Sequence, residues 1–491
     1  AGTLSSSRRN RSTPAADAAP HRYNAAVRII APLLAIAVSA CGAAPAPSPE
    51  PVNLVILSID TLRPDHLGVS GYPRETSPNL DRFADRAVVF DQAVTVHVAT
   101  APAHGTILTG RYPASHGIRR NGMRLAPDVP TLAEAFAARG YATGGFVSGW
   151  TLESHTGLDR GFATYDDALG APRAGARRKG ARTTKAALKW LRRQVADERE
   201  FFLFLHLFEP HWPYEPPPRD ALRFLPNQYE LATVSKPVHI DRRLDVNRLT
   251  PLEQREYVAR YDGEIVVADR LLGRLLEELD DLGAAHNTVI VVLSDHGETL
   301  FEREWTMDHG TRPYDEQARV PLLLAIPGDP NAGRRVADQV SLLDVAPTLL
   351  EVFGMAAPDG LQGRSLLPLV RGEPETDRRP AFITARSDPR RVPHLGVPLS
   401  SRGLVRAVRM PELKLIEYPT PDGGRHPELF ALSDDPGELR NRATLSPESA
   451  ASLHRELAHW QMTSGADPRV DDPVLDPETE AALRELGYLD D

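Results

Sequence analysis

A threonine at the start of an apolar, helix-like stretch is the first residue whose surroundings suggest chemistry. Residues 98–117 read VATAPAHGTILTGRYPASHG, and Thr100 stands directly before the Ala-Pro pair that opens the helical pattern. The first N–H groups of a helix are unpaired and its dipole is positive there, which favours an anion beside Thr100. Its hydroxyl would attack a phosphorus or sulfur centre if a metal lowered its pKa. On this stretch alone an ordinary helix N-cap is the stronger interpretation.

Polar side chains with ligand or proton-transfer chemistry follow three apolar runs of the chain. The runs are residues 52–59, 201–208 and 287–293, and they lead to Asp60, to His211, and to the pair Asp295 and His296. Runs rich in Val, Ile and Phe predict strands that are buried on both faces, as in a parallel sheet. Ligands of open α/β sheets bind outside the carboxyl ends of the strands, so we expect these side chains to meet at one edge.

Asp60, Thr100, Asp295 and His296 form a ligand set suited to a divalent cation. A buried carboxylate is costly unless it is paired or bound to a metal. Two carboxylates, a hydroxyl and an imidazole accept Zn, Mn, Ca or Mg, one ion or two, and the ligand types do not choose among them. Taken singly, Asp60 would also fit a helix cap and His296 a turn, so the residues alone leave both interpretations open.

The remaining patterns predict how these residues are positioned. Further apolar runs lie at residues 141–148 and 320–326, and helical patterns lie at residues 77–90, 131–139, 183–198 and 252–282. Strands that alternate with helices predict an α/β fold with a doubly wound, largely parallel sheet flanked by helices. Beyond about residue 372 short strands at 380–383, 403–409 and 414–417, with helices at 447–461 and 477–488, predict a smaller antiparallel α+β subdomain. We therefore expect a catalytic domain at residues 52–372 and a C-terminal subdomain at residues 373–491.

The N-terminal region has the features of an export signal. Arginines precede a short apolar run at residues 29–40, which is too short to span a bilayer, and Val38-Ser39-Ala40-Cys41 resembles a bacterial lipobox. We expect residues 1–41 to be a signal peptide lipidated at Cys41 and residues 42–51 to be a Pro/Ala linker. The protein would then be exported to the bacterial cell envelope and held at the membrane by its lipid anchor. A plain secretory signal and a short buried helix are the alternatives.

Charge and cysteine content narrow the possible partners. The formal net charge of −9 and the few basic runs argue against nucleic acid as a partner. Cys41 is the one cysteine of the chain, so no intrachain disulfide can form. No pattern in the sequence indicates an oligomeric state.

Five stretches resemble the sulfatase family of the alkaline phosphatase superfamily, and they occur in the family's order. They read VNLVILSIDTLRPDHLG, TAPAHGTILTGRYPASHG, FLHLFEPHWPY, VIVVLSDHGETL and SLLDVAPTLLEVFG. The resemblance covers roughly residues 52–370, and the tail ELFALSDDPGELRN is similar to the family's C-terminal subdomain. It implies the alkaline phosphatase/sulfatase-like fold, a divalent metal at the four ligands above, and a phosphate- or sulfate-ester substrate.

The chain departs from the family pattern at the nucleophile. Formylglycine sulfatases carry Cys or Ser in a C/S-x-P-x-R motif, whereas this chain has Thr100-Ala-Pro-Ala-His104, and Thr61 replaces the second aspartate of the usual metal pair. Threonine cannot be converted to formylglycine, so we expect no formylglycine. A threonine nucleophile is instead similar to the phosphoryl-transfer branches of the superfamily, such as nucleotide pyrophosphatases/phosphodiesterases and phosphoethanolamine or lipoteichoic-acid type transferases.

The resemblance and the residue chemistry together assign roles to the candidates. We expect Thr100 to attack phosphorus and the turn that caps its helix to aim the hydroxyl at the metal. His211 would protonate the leaving oxygen or bind substrate, and His309 would supply positive charge or ligate a second metal. The further candidates are His104 for catalysis, and Asn121 and His206 for substrate binding.

Three functions remain open from the sequence. The first is a metal-dependent hydrolase that cleaves or transfers phosphoester groups through Thr100, and the second is a sulfatase that uses Thr100. The third is a non-catalytic envelope lipoprotein that binds glycan. A sulfated formylglycine diol breaks down by eliminating sulfate, whereas a sulfated threonine would need attack by water at sulfur. A phosphothreonine can be hydrolysed or transferred in a second in-line step, which favours the first function.

Overall fold

A computed structural model of the protein describes residues 52–169, 177–225, 249–303, 307–375 and 378–464. The expected signal peptide with Cys41, the linker at residues 42–51 and the expected helix at residues 477–488 lie outside these ranges and stay predictions. None of the helices in the described ranges has the length and apolar character needed to cross a membrane.

Most of the described strands are four to seven residues long and belong to two main sheets, the short strands β4 and β9 also belong to the large sheet, and β7 and β8 form a separate two-stranded sheet. They are β1 (Asn53–Ile59), β2 (Val88–Val94), β3 (Ala142–Phe146), β4 (Thr164–Asp166), β5 (Phe201–Leu207), β6 (Thr288–Leu293), β7 (Thr299–Leu300), β8 (Met307–Asp308), β9 (Arg319–Val320), β10 (Leu322–Ala325), β11 (Arg335–Ser341), β12 (Ala381–Arg386), β13 (Leu404–Arg409), β14 (Leu413–Pro419) and β15 (Arg425–Ala431).

The described α-helices range from single turns to a helix of 31 residues. They are α1 (Pro78–Ala84), α2 (Thr100–Thr109), α3 (Pro113–His116), α4 (Leu132–Ala138), α5 (Gly180–Ala196), α6 (Pro218–Leu222), α7 (Pro251–Asp281), α8 (Asp315–Ala318), α9 (Val345–Val352), α10 (Leu367–Val370) and α11 (Pro447–Thr463).

The strand that leads to Asp60 lies inside the large sheet. Its strand order is β11-β2-β10-β6-β1-β5-β3-β4, and β9 pairs with β2 at one side. β1 pairs in parallel with both β5 and β6, while β10 runs antiparallel to β2 and β6. The carboxyl ends of β1, β5 and β6 therefore lie side by side, as expected from a largely parallel sheet.

Both faces of this sheet are covered, and β1 shows how its sequence makes that possible. Because successive strand residues point to opposite faces, Leu54 and Ile56 join one core with α2, α4 and α9. Val55 and Leu57 join the other core with α1, α5 and α7. A strand buried on both faces needs an unbroken apolar run, which is the pattern that predicted it. The α/β fold with helices on both faces of a largely parallel sheet is confirmed.

One expected helix is wrong in its second half. The pattern at residues 77–90 predicts one helix, but α1 ends at Ala84 and β2 begins at Val88. The β-branched pair Val88-Val89 suits a strand better than a helix, and β2 is held between β10 and β11. β11 and β15 were not predicted, because their polar and charged residues hide the apolar pattern.

The smaller sheet lies after the large one in the chain and is entirely antiparallel, in the order β12-β13-β14-β15. One of its faces packs against α11 through an apolar cluster that includes Leu415, Leu457 and Trp460. The other joins Val94 and Tyr314 of the large-sheet region in a second cluster. The described residues pack as one compact unit.

Candidate active site

Two neighbouring parallel strands bring the candidate metal ligands together. Asp60 follows β1, and Asp295 and His296 follow β6 after a single serine. One ligand atom from each of the three residues lies within 4.8 Å of the others. His296 Nε2 is 3.4 Å from Asp295 Oδ2 and 3.9 Å from Asp60 Oδ1. The three residues predicted as ligands therefore converge at the carboxyl edge of the sheet.

The donor atoms of this cluster fit a divalent cation. All three side chains are fully buried, and within the described ranges neither oxygen of Asp60 nor Oδ2 of Asp295 has a hydrogen-bond partner. His296 Nδ1–H donates to the Gly297 carbonyl at 2.9 Å, so in the neutral ring the lone pair of Nε2 faces the carboxylates. Buried carboxylate oxygens that accept no hydrogen bond are costly unless a cation neutralises them. Oxygen and imidazole donors suit Zn, Mn, Ca or Mg.

The pKa values of Asp60, Asp295 and His296 are shifted because these buried groups lie close together. Burial raises the pKa of Asp60 well above its ordinary value, and the nearby Asp295 carboxylate raises it further. Burial also acts to raise the pKa of Asp295, but His296 and His104 outweigh it and lower that pKa. Burial acts to lower the pKa of His296, and the two carboxylates raise it on balance. A cation bound between the carboxylates would relieve their repulsion.

Thr100 is the first residue of α2, and its side chain does not cap that helix. Ala99 is the N-cap residue and makes no side-chain capping bond, so the expected capping role of Thr100 is wrong. The fully buried Thr100 hydroxyl lies 3.4 Å from His296 Nε2 instead. The physical reason is that Thr100 already has the helical backbone conformation, whereas an N-cap residue lies just before it. The hydroxyl thus meets the ligand cluster.

His104 lies beneath Thr100 and holds it in place. His104 Nδ1–H donates to the Thr100 carbonyl at 2.8 Å, and its Nε2 accepts from the Ser58 hydroxyl at 2.8 Å. Burial lowers the pKa of His104 to about 4, so the ring is neutral near neutral pH. Both ring nitrogens are therefore engaged in positioning the first turn of α2, although Nδ1 is also 3.6 Å from Asp295 Oδ2.

His206 lies on the opposite side of the cluster, within β5. Its Nδ1 accepts from the Ser148 backbone N–H at 3.4 Å, and its Nε2 is 3.4 Å from Asp60 Oδ2. Burial lowers the pKa of His206 to about 4. The neutral ring therefore carries its proton on Nε2, near the Asp60 carboxylate but not hydrogen-bonded to it.

His309 and His211 continue the site away from the ligands as a row of rings. The His309 ring centroid is 4.8 Å from that of His296 and 4.9 Å from that of His211. His309 Nδ1–H donates to Glu298 Oε1 at 2.8 Å, and His211 Nδ1–H donates to the Trp212 carbonyl at 2.5 Å. The bond from Nδ1–H thus helps to orient each ring. The sequence-based assignment missed Glu298, although it directly follows Asp295-His296-Gly297.

Asn121 reaches the site from the loop after α3. Its side-chain oxygen accepts from the Ala101 backbone N–H at 2.9 Å, at the first turn of α2. Its side-chain nitrogen is buried and has no hydrogen-bond partner within the described residues. This fixes an amide N–H₂ group next to Thr100, where it can donate to an oxygen of a substrate.

Thr61 and Tyr261 support the ligands, and the second of them was not anticipated. Thr61 adopts a left-handed conformation with φ of 55°, and its N–H donates to Asp295 Oδ1 at 3.3 Å. Its carbonyl accepts from the Tyr261 hydroxyl of α7 at 2.7 Å. Tyr261 lies 200 positions away within an amphipathic helix, so its sequence context resembles that of a core residue.

Comparison with known proteins identifies the family. Residues 52–355 match the family described as Sulfatase, and residues 304–463 match the one described as N-sulphoglucosamine sulphohydrolase, C-terminal. The chain belongs to the sulfatase family. It is a sulfatase-like hydrolase of the alkaline phosphatase superfamily, a family that normally uses a divalent metal, and its buried Asp60, Asp295 and His296 are a candidate site for such an ion.

Relatives of this sulfatase-family hydrolase carry more than one activity in their names. An ulvan-active sulfatase of Formosa agariphila is 27% identical over 354 residues, which cover 67% of each chain. The phosphonate monoester hydrolase of Silicibacter pomeroyi is 25% identical with a TM-score of 0.65, over 84% of this chain and 95% of that one. A protein solved with its substrate D-glucosamine-2-N,6-O-disulfate is 20% identical with a TM-score of 0.70, over 85% and 99%.

Proposed function

We propose that this sulfatase-family hydrolase cleaves or transfers phosphoester groups through a covalent intermediate on Thr100. One observation carries the proposal: the Thr100 hydroxyl lies at the start of a buried helix, 3.4 Å from His296 Nε2 in the ligand cluster. The positive end of the helix dipole and the unbonded amide of Asn121 favour an anionic group in front of that hydroxyl. A divalent cation held by Asp60, Asp295 and His296 would supply Lewis acidity, lowering the pKa of the hydroxyl and neutralising a substrate oxygen.

The chain's own residues account for the two steps of the reaction. Thr100 Oγ1 loses its proton and forms a bond to phosphorus as the bond from phosphorus to the leaving oxygen breaks, so this step moves one proton in net from Thr100 to the leaving oxygen. His211 or His309 protonates that leaving oxygen. Water, or an acceptor alcohol in a transferase, then attacks the phosphothreonine in line and returns the Thr100 hydroxyl. Bonds from Nδ1–H orient both histidine rings, and we assign the proton transfer to their Nε2 atoms.

The identity of the nucleophile separates phosphate from sulfate chemistry. Threonine has one hydrogen and a methyl group on its reacting carbon, so it cannot form the geminal diol from which sulfate is eliminated. The phosphonate monoester hydrolase among the similar structures is consistent with a phosphorus substrate. A sulfatase that works from Thr100 is the second candidate, because the ulvan-active relative is a sulfatase.

Purified protein assayed with aryl phosphate, bis-aryl phosphate, aryl phosphonate and aryl sulfate tests the proposal. Turnover of the phosphorus esters is expected to exceed that of the sulfate, and a quenched reaction should leave one phosphoryl group on the peptide that contains Thr100. Thr100→Val keeps the side-chain shape and should lower kcat by about a thousandfold or more. Thr100→Ser keeps a hydroxyl and serves as the matched control, with measurable activity.

Three results would contradict the proposal. Activity on aryl sulfate alone would replace it with the sulfatase function, and unchanged activity of Thr100→Val would remove the nucleophile assignment. No activity on any ester at saturating Zn, Mn, Ca or Mg would favour the non-catalytic glycan-binding function. Metal analysis of the same protein identifies the ion and its stoichiometry.

We also propose that the enzyme acts in the bacterial cell envelope as a lipoprotein anchored at Cys41. The support is the lipobox-like Val38-Ser39-Ala40-Cys41 after a short apolar run. When bacteria that express the full-length protein are grown with a labelled fatty acid, the protein in the membrane fraction should carry the label. Cys41→Ser should abolish that label, and labelling that survives the substitution would refute the anchor.

A further inference from the structure

A pocket opens next to the candidate active site, on the side of His211. It has a volume of about 230 Å³ and lies between α5, α7 and the segment after β5. Whole ligand sites are larger, roughly 300–1,000 Å³, so this pocket fits one part of a ligand and not all of it. Its position beside the row of His296, His309 and His211 makes it a continuation of the active site.

Five cationic side chains line this pocket, and three of them are paired. Arg177 contacts Glu215 at 3.0 Å, Arg178 contacts Asp166 at 2.7 Å, and Arg270 contacts Asp220 at 2.5 Å. The other two are Lys179, which precedes α5, and Arg274 of α7. Within the described residues neither the Lys179 nor the Arg274 side chain makes an ion pair or hydrogen bond. The Lys179 charge is close enough to Glu209 and Glu264 to act to lower the pKa of both. Two cations therefore remain available to a ligand in the pocket.

The acidic groups of the pocket offset the charge of these cations only in part. The Glu209 carboxylate accepts a hydrogen bond from the Gly180 backbone N–H at 2.9 Å and so binds the first N–H group of α5. A side chain at Gly180 would lie 2.5 Å from the Glu209 carboxylate, which explains the glycine. Glu264 accepts the Glu215 backbone N–H at 2.7 Å, and burial together with Glu209 raises the pKa of Glu264 to about 8. At neutral pH Glu264 is therefore mostly uncharged, and the pocket is electropositive.

An aromatic residue joins the pocket to the reacting groups. Phe208 and His211 both line the pocket, with ring centroids 4.3 Å apart. The Arg177 guanidinium lies over the Phe208 ring, 5.6 Å from its centroid. A substrate whose leaving oxygen is at His211 would thus extend its alcohol portion across Phe208 toward Lys179 and Arg274.

We infer that this pocket binds an anionic substituent, a carboxylate or a sulfate, on the alcohol portion of the ester substrate, with Lys179 and Arg274 as its ligands. The inference rests on the proposed function for the location of the leaving group. It narrows the substrate class to esters that carry a second negative charge on the ring next to the ester, such as an acidic sugar or a carboxylated aryl alcohol. Lys179 and Arg274 are then specificity-determining residues and take no part in bond cleavage.

Matched pairs of substrates test this inference. Aryl phosphates and aryl sulfates are each compared with and without one carboxylate on the ring, using wild-type protein, Lys179→Met and Arg274→Met. Each substitution is expected to raise KM for the carboxylated ester about tenfold or more, with little change in kcat. For the uncharged ester, KM and kcat of both variants should stay within about twofold of the wild-type values. Lys189→Met, on the exposed side of α5, is the matched control and should change neither ester.

Equal loss on both members of a pair, or an unchanged preference for the carboxylated ester, would overturn the inference. If no ester is turned over, the proposed function fails. Calorimetric measurement of ester binding then tests separately whether the pocket binds an anionic substituent. Wild-type protein should bind the carboxylated ester more tightly than the uncharged one, and Lys179→Met and Arg274→Met should each remove that difference. Equal binding of both esters by wild-type protein would refute the pocket itself.

Discussion

Asp60 is a buried carboxylate whose two oxygens have no hydrogen-bond partner in the described part of the chain. Burial and Asp295 raise its pKa, which means that the folded, ion-free protein disfavours the charged form of Asp60. The side chain therefore lowers stability in the absence of a cation and raises it when a cation binds. A change in the sign of its effect on stability when a cation binds distinguishes a metal ligand from a residue that only supports the fold.

Replacing Asp60 with Asn should remove both the loss of stability in the ion-free protein and the gain of stability on cation binding. In excess EDTA, Asp60→Asn is expected to have a higher Tm than wild type, because it removes an unpaired buried charge. The corresponding gain in the free energy of unfolding is about 1–2 kcal/mol. Added divalent cation should raise the Tm of wild type and leave the variant nearly unchanged. Asp65→Asn, at a partly exposed carboxylate paired with Arg63, is the control and should keep the metal response. A variant that still gains stability from the cation would show that Asp60 is not a ligand.

The sequence predicted the residue types of the site better than their contacts. Asp60, Asp295 and His296 could be found because each directly follows an unbroken apolar strand, and parallel strands place such residues at one edge. The bond between His309 and Glu298 and the hydroxyl of Tyr261 beneath Thr61 could not be found. They depend on how a loop and a distant helix fold back onto that edge, which no local spacing encodes.

At the scale of elements, α2 is tied to β1 through a single histidine. Ser58 of β1 donates to His104, and His104 donates to the Thr100 carbonyl, so the strand fixes the turn that carries the nucleophile. All three residues are fully buried. A helix start held this way does not depend on a side-chain cap, and none is present at Ala99.

Ser58→Ala should loosen this connection. The substitution leaves His104 Nε2 buried without its donor, which is expected to lower the free energy of unfolding by about 1–3 kcal/mol in urea titrations. Activity should fall as well, because the Thr100 backbone loses one of its constraints. Ser70→Ala, at an exposed serine, is the matched control and should unfold like wild type. Equal stability of the two variants would show that the histidine does not need the Ser58 bond.

Elements with a clean pattern were predicted closely, and elements with a mixed pattern were not. α7 was expected at residues 252–282 and is Pro251–Asp281, with Thr250 and Glu253 forming a capping box. The pattern at residues 77–90 predicts a helix that runs into β2, because its apolar positions also fit helical spacing. Its partners β10 and β11 come more than 220 residues later, so the competing tertiary contacts are invisible in the local sequence.

α7 also carries a carboxylate whose charge opposes folding. The pKa of Glu264 is raised by burial and by Glu209 to about 8, against 4.5 for an ordinary glutamate. The unfolded chain therefore loses this proton first, and stability contributed by Glu264 falls as pH rises from about 4.5 to about 8. Glu264→Gln should remove that fall, gaining about 2–4 kcal/mol over wild type at pH 8.5 but little at pH 5 in urea titrations. Parallel stability curves for the two proteins would contradict this prediction.

At the scale of the whole molecule, a buried ion cluster joins the smaller sheet to the large-sheet region. Lys414 of β14 is fully buried and lies 2.8 Å from Asp315 Oδ1 and 2.9 Å from Glu438 Oε1. Arg409 of β13 also contacts Asp315, at 2.9 Å. Burial acts to raise the pKa of Asp315, but Lys414 and Arg409 outweigh it and lower that pKa. The stability that Asp315 contributes is thus present above its ordinary pKa and is lost as the pH falls.

Removing the central cation of this cluster tests whether it holds the two sheets together. Lys414→Met leaves Asp315 with one cation and Glu438 without its lysine, so the free energy of unfolding should fall by about 3–5 kcal/mol in urea titrations near neutral pH. The loss should shrink in acid, where the carboxylates of the variant become protonated. Arg378→Met breaks an exposed pair with Glu412 and should cost less than about 1 kcal/mol. If the two variants lose the same stability, the apolar cluster around Tyr314 and Phe430, and not the ions, joins the sheets.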